Sequence, residues 1–303
     1  MKIQSLSIVV PTKGCINHCK FCVSRMHNEV YANRISDPND RKAEADYKKR
    51  LEFTRDNNCN TVMLTGYGEP QQNMSFIRKF SQLNDQLPSP FKNIEIQTTG
   101  AGFTNDTIVE LRDLGITTIS FSVSSLLQPD INMVVINEKK VNIPSIQDLI
   151  FRCHNNNINA RLSLNLTGWL MAKIYNPFDS IRFEYNPEPK DILTACYSLG
   201  ADQVTFRQMY SDYSLSPQSK WVEEYALKKE WVKKLKKYIE NYGTYLDTLE
   251  TGQRRYSLQE MSVILDEDCM AKKEREDGAL KYLVLRPDCK LYSRWDDKGS
   301  LIF

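Results

Sequence analysis

Residues 6–22 read LSIVVPTKGCINHCKFC, and this stretch decides how the rest of the chain is interpreted. Its first six residues are mainly apolar and β-branched, which predicts a short buried strand over 6–11. Three cysteines follow close together, at Cys15, Cys19 and Cys22. The sequence therefore predicts a strand that leads into a thiol-rich loop, and thiolates bind zinc and iron–sulfur clusters.

The chain continues as a regular alternation of predicted strands and helices. Further strands are predicted over 59–66, 93–100, 117–125, 160–168 and 202–210. Helices are predicted over 41–57, 74–87, 105–114, 145–155, 190–199 and 218–241. Six strand-helix units in succession favour a parallel sheet with helices outside it, because parallel strands need crossover connections. The predicted fold class is α/β, with residues 1–210 as its core.

Several of the predicted strands have one apolar face and one polar face. In 117–125, apolar residues alternate with Ser120, Ser122 and Ser124, and 160–168 repeats the pattern with Asn165. A parallel strand buried on both faces is nearly all apolar, so the polar faces predict a shared interior that holds water or a polar ligand. An open six-stranded barrel with a polar lumen fits this pattern better than an antiparallel sheet facing solvent.

Residues 211–303 do not repeat the strand-helix unit. After the helix at 218–241, short strands are predicted over 256–265 and 280–291, the second broken by the turn signal at Pro287 and Asp288. This α+β extension is expected to close the barrel or to bind the substrate.

The composition describes a globular chain that is large enough to bury a sizeable core. It has 303 residues, 40 Lys and Arg against 38 Asp and Glu, and a mean hydropathy of −0.49. No apolar run approaches the ~18 residues of a membrane-spanning helix, and no secretory signal is visible, so we expect a cytoplasmic protein without a membrane partner. The net charge of +2 neither supports nor excludes a nucleic-acid partner.

Eight cysteines without a secretory signal favour metal or redox chemistry over disulfides. A structural zinc site needs four ligands, and His18 is a cramped fourth one beside Cys19. A cubane cluster bound by three cysteines leaves one iron open, as a catalytic cluster requires. A zinc site stays open as the alternative.

The Cys-x3-Cys-x2-Cys spacing, with Phe21 before the last cysteine, resembles the signature of the radical S-adenosylmethionine (SAM) superfamily. The resemblance covers about residues 1–210. It implies a partial (βα)6 TIM-like barrel, in agreement with the six units above. It also implies a [4Fe–4S] cluster bound by Cys15, Cys19 and Cys22, and SAM as the second cofactor.

A second motif stands at the end of the second predicted strand. Gly66-Tyr67-Gly68-Glu69-Pro70 is similar to the superfamily's Gly-Gly-Glu-Pro segment, which holds the amino group of the SAM methionine. Glycines allow the backbone to approach a ligand, and an anionic Glu complements an ammonium group. The inserted Tyr departs from the commonest form and, with Asn73 downstream, resembles radical SAM ribosomal RNA adenine methyltransferases.

The resemblance implies further SAM-binding residues on later strands. Ser120, Ser122 and Ser124 match the ribose-binding positions, and Ser122 is the first choice. Asn165 and Arg207 are candidates for the adenine and the carboxylate, with Arg207 as the carboxylate partner through its planar donor fork. Phe21 is expected to pack near the adenine or to anchor the cysteine loop.

The remaining cysteines divide into two groups. Cys59, Cys153 and Cys196 fall in predicted strands and helices and are expected in the core. Cys269 and Cys289 lie in the extension, where some superfamily members have a hydrogen-donating thiol or a methyl-carrying cysteine. Both are candidate catalytic residues.

The function that the resemblance implies is reductive cleavage of SAM to a 5′-deoxyadenosyl radical, which abstracts hydrogen from a peptide or small-molecule substrate. An electron donor such as flavodoxin or ferredoxin is then an expected partner. The first alternative is an enzyme like the radical SAM RNA methyltransferases. The second is a non-catalytic iron–sulfur or zinc-binding protein, against which the intact Glu69 argues.

Overall fold

The computed structural model describes residues 2–26, 33–127, 129–136, 143–172, 187–271 and 278–303. Within these ranges, eleven strands form one sheet with the order β11-β10-β1-β2-β3-β4-β5-β6-β9-β8-β7. The strands are β1 (Ile3–Val10), β2 (Thr61–Gly66), β3 (Asn93–Thr98), β4 (Thr118–Val123), β5 (Asn159–Asn165), β6 (Gln203–Arg207), β7 (Thr244–Thr248), β8 (Arg254–Leu258), β9 (Met261–Asp266), β10 (Leu280–Leu285) and β11 (Leu291–Tyr292). The helices are α1 (Val23–Met26), α2 (Arg41–Asp56), α3 (Met74–Asp85), α4 (Asn105–Asp113), α5 (Pro129–Ile136), α6 (Ile146–Asn155), α7 (Pro189–Ser198), α8 (Pro217–Tyr225) and α9 (Lys229–Tyr242).

Strands β1 to β6 lie side by side in chain order and are all parallel. This confirms the α/β class and the six parallel strands that the periodicity predicts. The sheet does not close by backbone pairing, because β11 and β7 form its two ends. The architecture is therefore an open, partial barrel.

Residues beyond 210 extend this sheet at both ends. Strand β9 pairs in parallel with β6, and β10 pairs in parallel with β1. Strands β7 and β8 follow β9 in antiparallel order, and β11 is antiparallel to β10. The division of the chain at residue 210 remains a prediction, and the extension supplies strands that are continuous with the core sheet.

Side chains bridge the gap between the two ends of the parallel region. The ammonium group of Lys281 on β10 lies 2.6 Å from a carboxylate oxygen of Asp266 on β9. The Tyr282 hydroxyl donates to the Cys269 carbonyl at 2.9 Å. These contacts close the barrel wall where the backbone ladder is interrupted.

The outer face of the sheet forms the hydrophobic core beneath the helices. Ile96, Ile119, Phe121, Leu162 and Leu164 are fully buried there, as the alternation of the strands predicts. Cys59, Cys153 and Cys196 are also fully buried, which confirms that they are core residues. None of the described helices is long and apolar enough to cross a membrane.

The predicted helix at 218–241 is wrong in one respect, because the structure divides it into α8 and α9. Ala226 has an extended backbone and forms an isolated bridge with Thr167, and the Leu227 amide donates to the Leu166 carbonyl at 3.0 Å. Pairing with the end of β5 therefore replaces helical hydrogen bonds at this point. Tertiary contacts override the helical pattern of the sequence.

The predicted strand at 256–265 is also wrong as a single element. It is a hairpin of β8 and β9, connected by Gln259 and Glu260 with φ values of 51° and 64°. Two successive left-handed residues are typical of a tight hairpin turn, which usually has Asn or Gly at these positions. The turn lacks that signature here, and β7 was not predicted at all.

Candidate active site

A cavity of about 720 Å³ lies inside the open barrel and reaches the carboxyl ends of its strands. Active sites of parallel barrels are found at this end, where the loops after the strands converge. Most of the residues that the sequence singles out line the cavity: Cys15, Cys19, Phe21, Cys22, Gly66, Gly68, Glu69, Ser120, Ser122, Asn165, Arg207 and Cys269. Pro70 and Cys289 do not line it.

Backbone hydrogen bonds hold the cysteine loop from one side. The amides of His18 and Lys20 donate to the carbonyls of Ile136 and Val135, at 2.9 and 3.1 Å. These carbonyls belong to the last turn of α5, where a helix leaves acceptors without an internal partner. The cysteine loop therefore supplies hydrogen-bond donors to the last carbonyls of α5. These hydrogen bonds also fix the position of the loop.

Gln72 holds the same loop from the other side. Its amide oxygen accepts from the Ile16 amide at 3.2 Å, and its amide nitrogen donates to the Gly14 carbonyl at 3.2 Å. Gln72 lies in a 3₁₀ turn over Pro70–Asn73, directly after the Gly-Tyr-Gly-Glu motif. Pro70 begins this turn, so it shapes the motif instead of lining the cavity.

Electrostatics at the cysteines favour a cationic ligand. Burial raises the pKa of the Cys15 thiol and raises the pKa of the Cys19 thiol strongly, and the negative charges of Glu69 and of neighbouring Cys22 add to both shifts. Three thiolates and a carboxylate on one cavity repel each other until a positive charge compensates them. An iron–sulfur cluster supplies that charge, so this donor set fits the cluster.

The three cysteines are not arranged as a site for one ion. Among the described residues, no group of three or more His, Cys, Asp or Glu side chains is placed to hold a single metal ion. A [4Fe–4S] cluster does not require such convergence, since each thiolate binds a different iron.

Glu69 is the most heavily hydrogen-bonded side chain of the site. The residue is only 6% exposed. One carboxylate oxygen accepts from Asn17 Nδ2 at 2.8 Å and from the Thr99 hydroxyl at 3.1 Å. The other accepts from the Thr99 amide at 2.9 Å, from Gln71 Nε2 at 3.1 Å and from the Thr98 hydroxyl. The carboxylate thus connects the cysteine loop to the end of β3.

The two glycines of the motif are required by backbone packing. A Cβ at Gly66 would lie 2.5 Å from the carbonyl oxygen of Val10. A Cβ at Gly68 would lie 2.4 Å from the Thr12 hydroxyl and 2.9 Å from the Gly14 carbonyl oxygen. The motif therefore packs closely against the segment after β1. The sequence predicts glycine for approach to a ligand, and the structure adds this second reason.

Polar side chains from β3 to β6 form one wall of the cavity, as the sequence predicts. Asn165 Nδ2 on β5 donates to the hydroxyls of Ser122 and Ser124 on β4, at 3.4 and 3.2 Å. Ser120 and Arg207 line the same wall. Deeper in the lumen, Arg161 forms an ion pair with buried Glu95, a pair that the sequence analysis missed.

A second wall of the cavity is apolar and was also missed. Met63, Tyr67, Tyr282 and Trp295 line the cavity and pack in one cluster with buried Val9, Val284 and Tyr292. Tyr67 was visible in the sequence as an insertion between two glycines. The aromatic residues of β10 and the following segment had no motif to mark them.

Phe21 packs in an aromatic group at the mouth of the cavity. Its ring lies 6.0 Å from that of Trp221 on α8, and the group includes Trp169 after β5. This contact favours the role of a hydrophobic anchor for the cysteine loop. The expected contact with the adenine remains a prediction.

The structure separates the two cysteines of the extension. Cys269 lines the cavity, and its pKa is raised to about 11, first by burial and then by the Asp266 carboxylate. Cys289 is 2% exposed and belongs to the hydrophobic core, where burial raises its pKa to about 11. The two thiols do not share the cavity, and the structure gives no support to a catalytic Cys289.

Comparisons with known proteins agree with this site. The family model "Radical SAM superfamily" matches residues 9–170, which are more than half of the chain and include the cysteine loop and the Gly-Tyr-Gly-Glu-Pro motif. The chain belongs to the radical SAM superfamily. SAM and a [4Fe–4S] cluster are the cofactors of this family, and they fit the cavity. No curated protein sequence matches the chain significantly.

Solved structures share the fold at low sequence identity. anSMEcpe with bound AdoMet and the Cp18Cys peptide is 13% identical, with a TM-score of 0.53 over 79% of this chain and 60% of that one. Streptococcus suis SuiB bound to the precursor peptide SuiA is 15% identical, with a TM-score of 0.54 over 96% and 59%. Methylornithine synthase (PylB) is 14% identical, with a TM-score of 0.51 over 79% and 62%. This chain thus aligns with about 60% of the length of each.

Proposed function

We propose that this chain is a radical SAM enzyme that abstracts hydrogen from a peptide or small-molecule substrate bound in the barrel cavity. The observation that carries the proposal is that one cavity contains Cys15, Cys19 and Cys22 together with the Gly-Tyr-Gly-Glu motif and a polar wall. When bound, the cluster supplies an electron that cleaves SAM to methionine and a 5′-deoxyadenosyl radical. The protein supplies orientation and a site that limits access of water.

The residues of the polar wall have separate roles in this proposal. Arg207 binds the SAM carboxylate through its planar fork of donors, and Ser122 and Asn165 bind the ribose and adenine. Glu69 and the motif backbone face the SAM amino group. Because protein donors already occupy both oxygens of Glu69, its main action is to hold the cysteine loop against the motif.

The proposed role of Cys269 is hydrogen-atom donation to the substrate radical. The protonated thiol is the form that donates a hydrogen atom, and the raised pKa of Cys269 favours this form even more than in an ordinary cysteine. A methyl-accepting role needs the thiolate instead. The raised pKa gives no support to that thiolate, and none of the described residues gives the RNA methyltransferase alternative separate support.

The cavity size supports a substrate of modest volume. The cavity of about 720 Å³ also has to hold the cluster and SAM, so only part of it remains for the substrate. Two of the similar structures contain a peptide, which supports a peptide that inserts part of its chain. An electron donor such as flavodoxin or ferredoxin remains the expected partner.

Hydrogen abstraction is tested with a deuterated cell extract. The extract is divided by ultrafiltration into a peptide fraction and a small-metabolite fraction, and each is incubated anaerobically with reconstituted enzyme, SAM and dithionite. We expect deuterium in the 5′-deoxyadenosine from one fraction, and that fraction identifies the substrate class. Unlabelled 5′-deoxyadenosine from both fractions would contradict hydrogen abstraction from these substrates.

A further inference from the structure

The inner surface of the barrel is largely polar, and one part of it is apolar. Strands β3 to β6 contribute polar side chains such as Gln97, Ser122 and Arg207. The apolar part is a wall made of Met63 on β2, Tyr67 directly after β2, Tyr282 on β10 and Trp295 after β11, and it lies beside polar lining residues such as Ser7 and Lys281. The cavity therefore accommodates a ligand, or a pair of ligands, with one polar and one apolar side.

The apolar wall is only partly covered by the protein itself. Tyr282 is 4% exposed, whereas Met63, Tyr67 and Trp295 are half-buried against the cluster and also line the cavity. Contact of apolar surface with water has an unfavourable free energy that grows with the exposed area. A ligand with an apolar group gains this free energy when it covers the three side chains.

The backbone at Trp295 is held by a buried arginine. The guanidinium of Arg286, which is 1% exposed, donates to the carbonyls of Arg294 and Trp295 at 3.3 and 3.0 Å. The same guanidinium lies 4.0 Å from the ring centroid of Tyr292. A buried charge bound to the carbonyls of Arg294 and Trp295 holds the backbone that carries the indole, and a preorganised backbone loses little entropy on binding.

We infer that the apolar wall, through its half-buried residues Met63, Tyr67 and Trp295, is a subsite for an aromatic side chain of the substrate. This inference rests on the proposed function, which assigns the polar wall to SAM. The half-buried rings of Tyr67 and Trp295 are available for contact with a third ring, and the Met63 sulfur adds a polarisable contact. The inserted Tyr67 of the Gly-Tyr-Gly-Glu motif thus belongs to substrate recognition.

The test uses two probes that differ only in their side chain. N-trifluoroacetyl-phenylalanine amide and N-trifluoroacetyl-asparagine amide contain the same ¹⁹F reporter. Each is titrated by ¹⁹F NMR into the iron-reconstituted protein with SAM and without reductant, so that no turnover occurs. We expect the phenylalanine probe to bind at least about tenfold more tightly than the asparagine probe.

Variants of Trp295 test whether the phenylalanine probe binds at the apolar wall. Trp295→Ala is expected to lower the affinity for the phenylalanine probe about tenfold. Trp295→Leu is expected to lower this affinity less, because part of the apolar surface remains. Phe151→Ala is the matched control, because Phe151 is 62% exposed on α6 and does not line the cavity. Iron content and SAM affinity of each variant are measured in the same preparations.

Equal binding of the two probes, no binding of the phenylalanine probe, or no effect of either Trp295 variant would overturn the inference. Release of 5′-deoxyadenosine by the wild type is measured separately. If the wild type releases 5′-deoxyadenosine but the phenylalanine probe does not bind as expected, the inferred subsite is wrong and the proposed function stands. If the phenylalanine probe binds and the Trp295 variants weaken its binding, but no 5′-deoxyadenosine is released, the aromatic subsite stands and the proposed function is wrong.

Discussion

Asn17 Nδ2 donates a hydrogen bond to Glu69 Oε1 over 2.8 Å, and this contact connects the cysteine loop to the Gly-Tyr-Gly-Glu-Pro motif. Both residues are buried, and the same Asn17 nitrogen donates to the Thr99 hydroxyl at 2.7 Å. Three loops that follow successive strands therefore meet at one carboxylate. The cluster site and the proposed SAM site depend on each other through this contact.

Glu69→Gln is predicted to impair cluster assembly as well as SAM binding. The new amide nitrogen faces donors of Asn17, Thr98 or Thr99, so buried donors lose their acceptor, at a cost of about 3 kcal/mol in the free energy of unfolding. Urea unfolding measures the loss of stability, and iron per chain after anaerobic reconstitution measures cluster assembly.

Glu110→Gln is the control for Glu69→Gln. Glu110 forms a partly exposed ion pair with Arg78 that contributes less than about 1 kcal/mol to the free energy of unfolding. Full iron content and unchanged stability, with SAM binding lost, would show that Glu69 acts on SAM alone.

Alanine at Cys15, Cys19 or Cys22 is predicted to abolish iron binding, because each thiolate holds one iron of the cluster. The wild type should bind about four irons per chain and show the brown charge-transfer absorption. Cys196→Ala is the control, since Cys196 is fully buried in the core and does not line the cavity. It should retain the iron and lose about 1 kcal/mol of stability. Uptake of zinc instead of iron by the wild type would contradict the assignment of an iron–sulfur cluster to these cysteines.

Cys269 is predicted to react slowly with iodoacetamide at pH 8 and faster as the pH approaches 11. Its pKa of about 11, against 9.0 for an ordinary thiol, lowers the thiolate fraction at pH 8 about a hundredfold. Asp266 and Asp268 raise this pKa, while Arg207 and Lys281 lower it. Mass spectrometry of the alkylated peptide measures the rate.

Removal of the Asp266 charge tests whether this carboxylate raises the pKa of Cys269. Asp266→Asn deletes a group that raises the pKa, so alkylation of Cys269 at pH 8 should become faster. Glu267→Gln is the control, because the neighbouring Glu267 pairs with Lys236 at the surface. Alkylation of wild-type Cys269 at the rate of an unhindered cysteine would contradict the raised pKa of this thiol.

Arg286→Ala is predicted to lower the free energy of unfolding by about 3 kcal/mol or more. The change removes two hydrogen bonds to carbonyls and a cation–π contact with Tyr292 from a buried position. Arg286→Lys should not restore stability, because an ammonium group lacks the planar fork. Lys290→Ala, an exposed neighbour, serves as the control. A loss in Arg286→Ala no larger than that of the control would contradict the anchoring role.

The sequence predicts the parallel half of the fold well, because β1 to β6 each have a strong apolar face. It also predicts the polar wall, since Ser120, Ser122 and Asn165 alternate strictly with apolar residues. Strand β10 is different, because its position beside β1 depends on pairing between residues about 280 positions apart. No local pattern reports such a long-range contact.

The apolar wall escaped prediction for the same reason. Tyr282, Tyr292 and Trp295 come from the end of the chain and meet Met63 and Tyr67 only in the folded sheet. The break between α8 and α9 likewise follows from pairing of Ala226 with Thr167, which the helical pattern of 218–241 conceals. Motif residues were predictable because each motif lies within one short segment.

The most direct test of the account is the formation of 5′-deoxyadenosine by the purified chain. Anaerobically reconstituted wild-type protein is mixed with SAM and dithionite, and the nucleoside is quantified by liquid chromatography and mass spectrometry. The account predicts 5′-deoxyadenosine from the wild type and none from Cys19→Ala, the matched variant without a complete cluster. Iron-loaded wild-type protein that binds SAM but releases no 5′-deoxyadenosine, either alone or with the deuterated peptide and metabolite fractions, would contradict it.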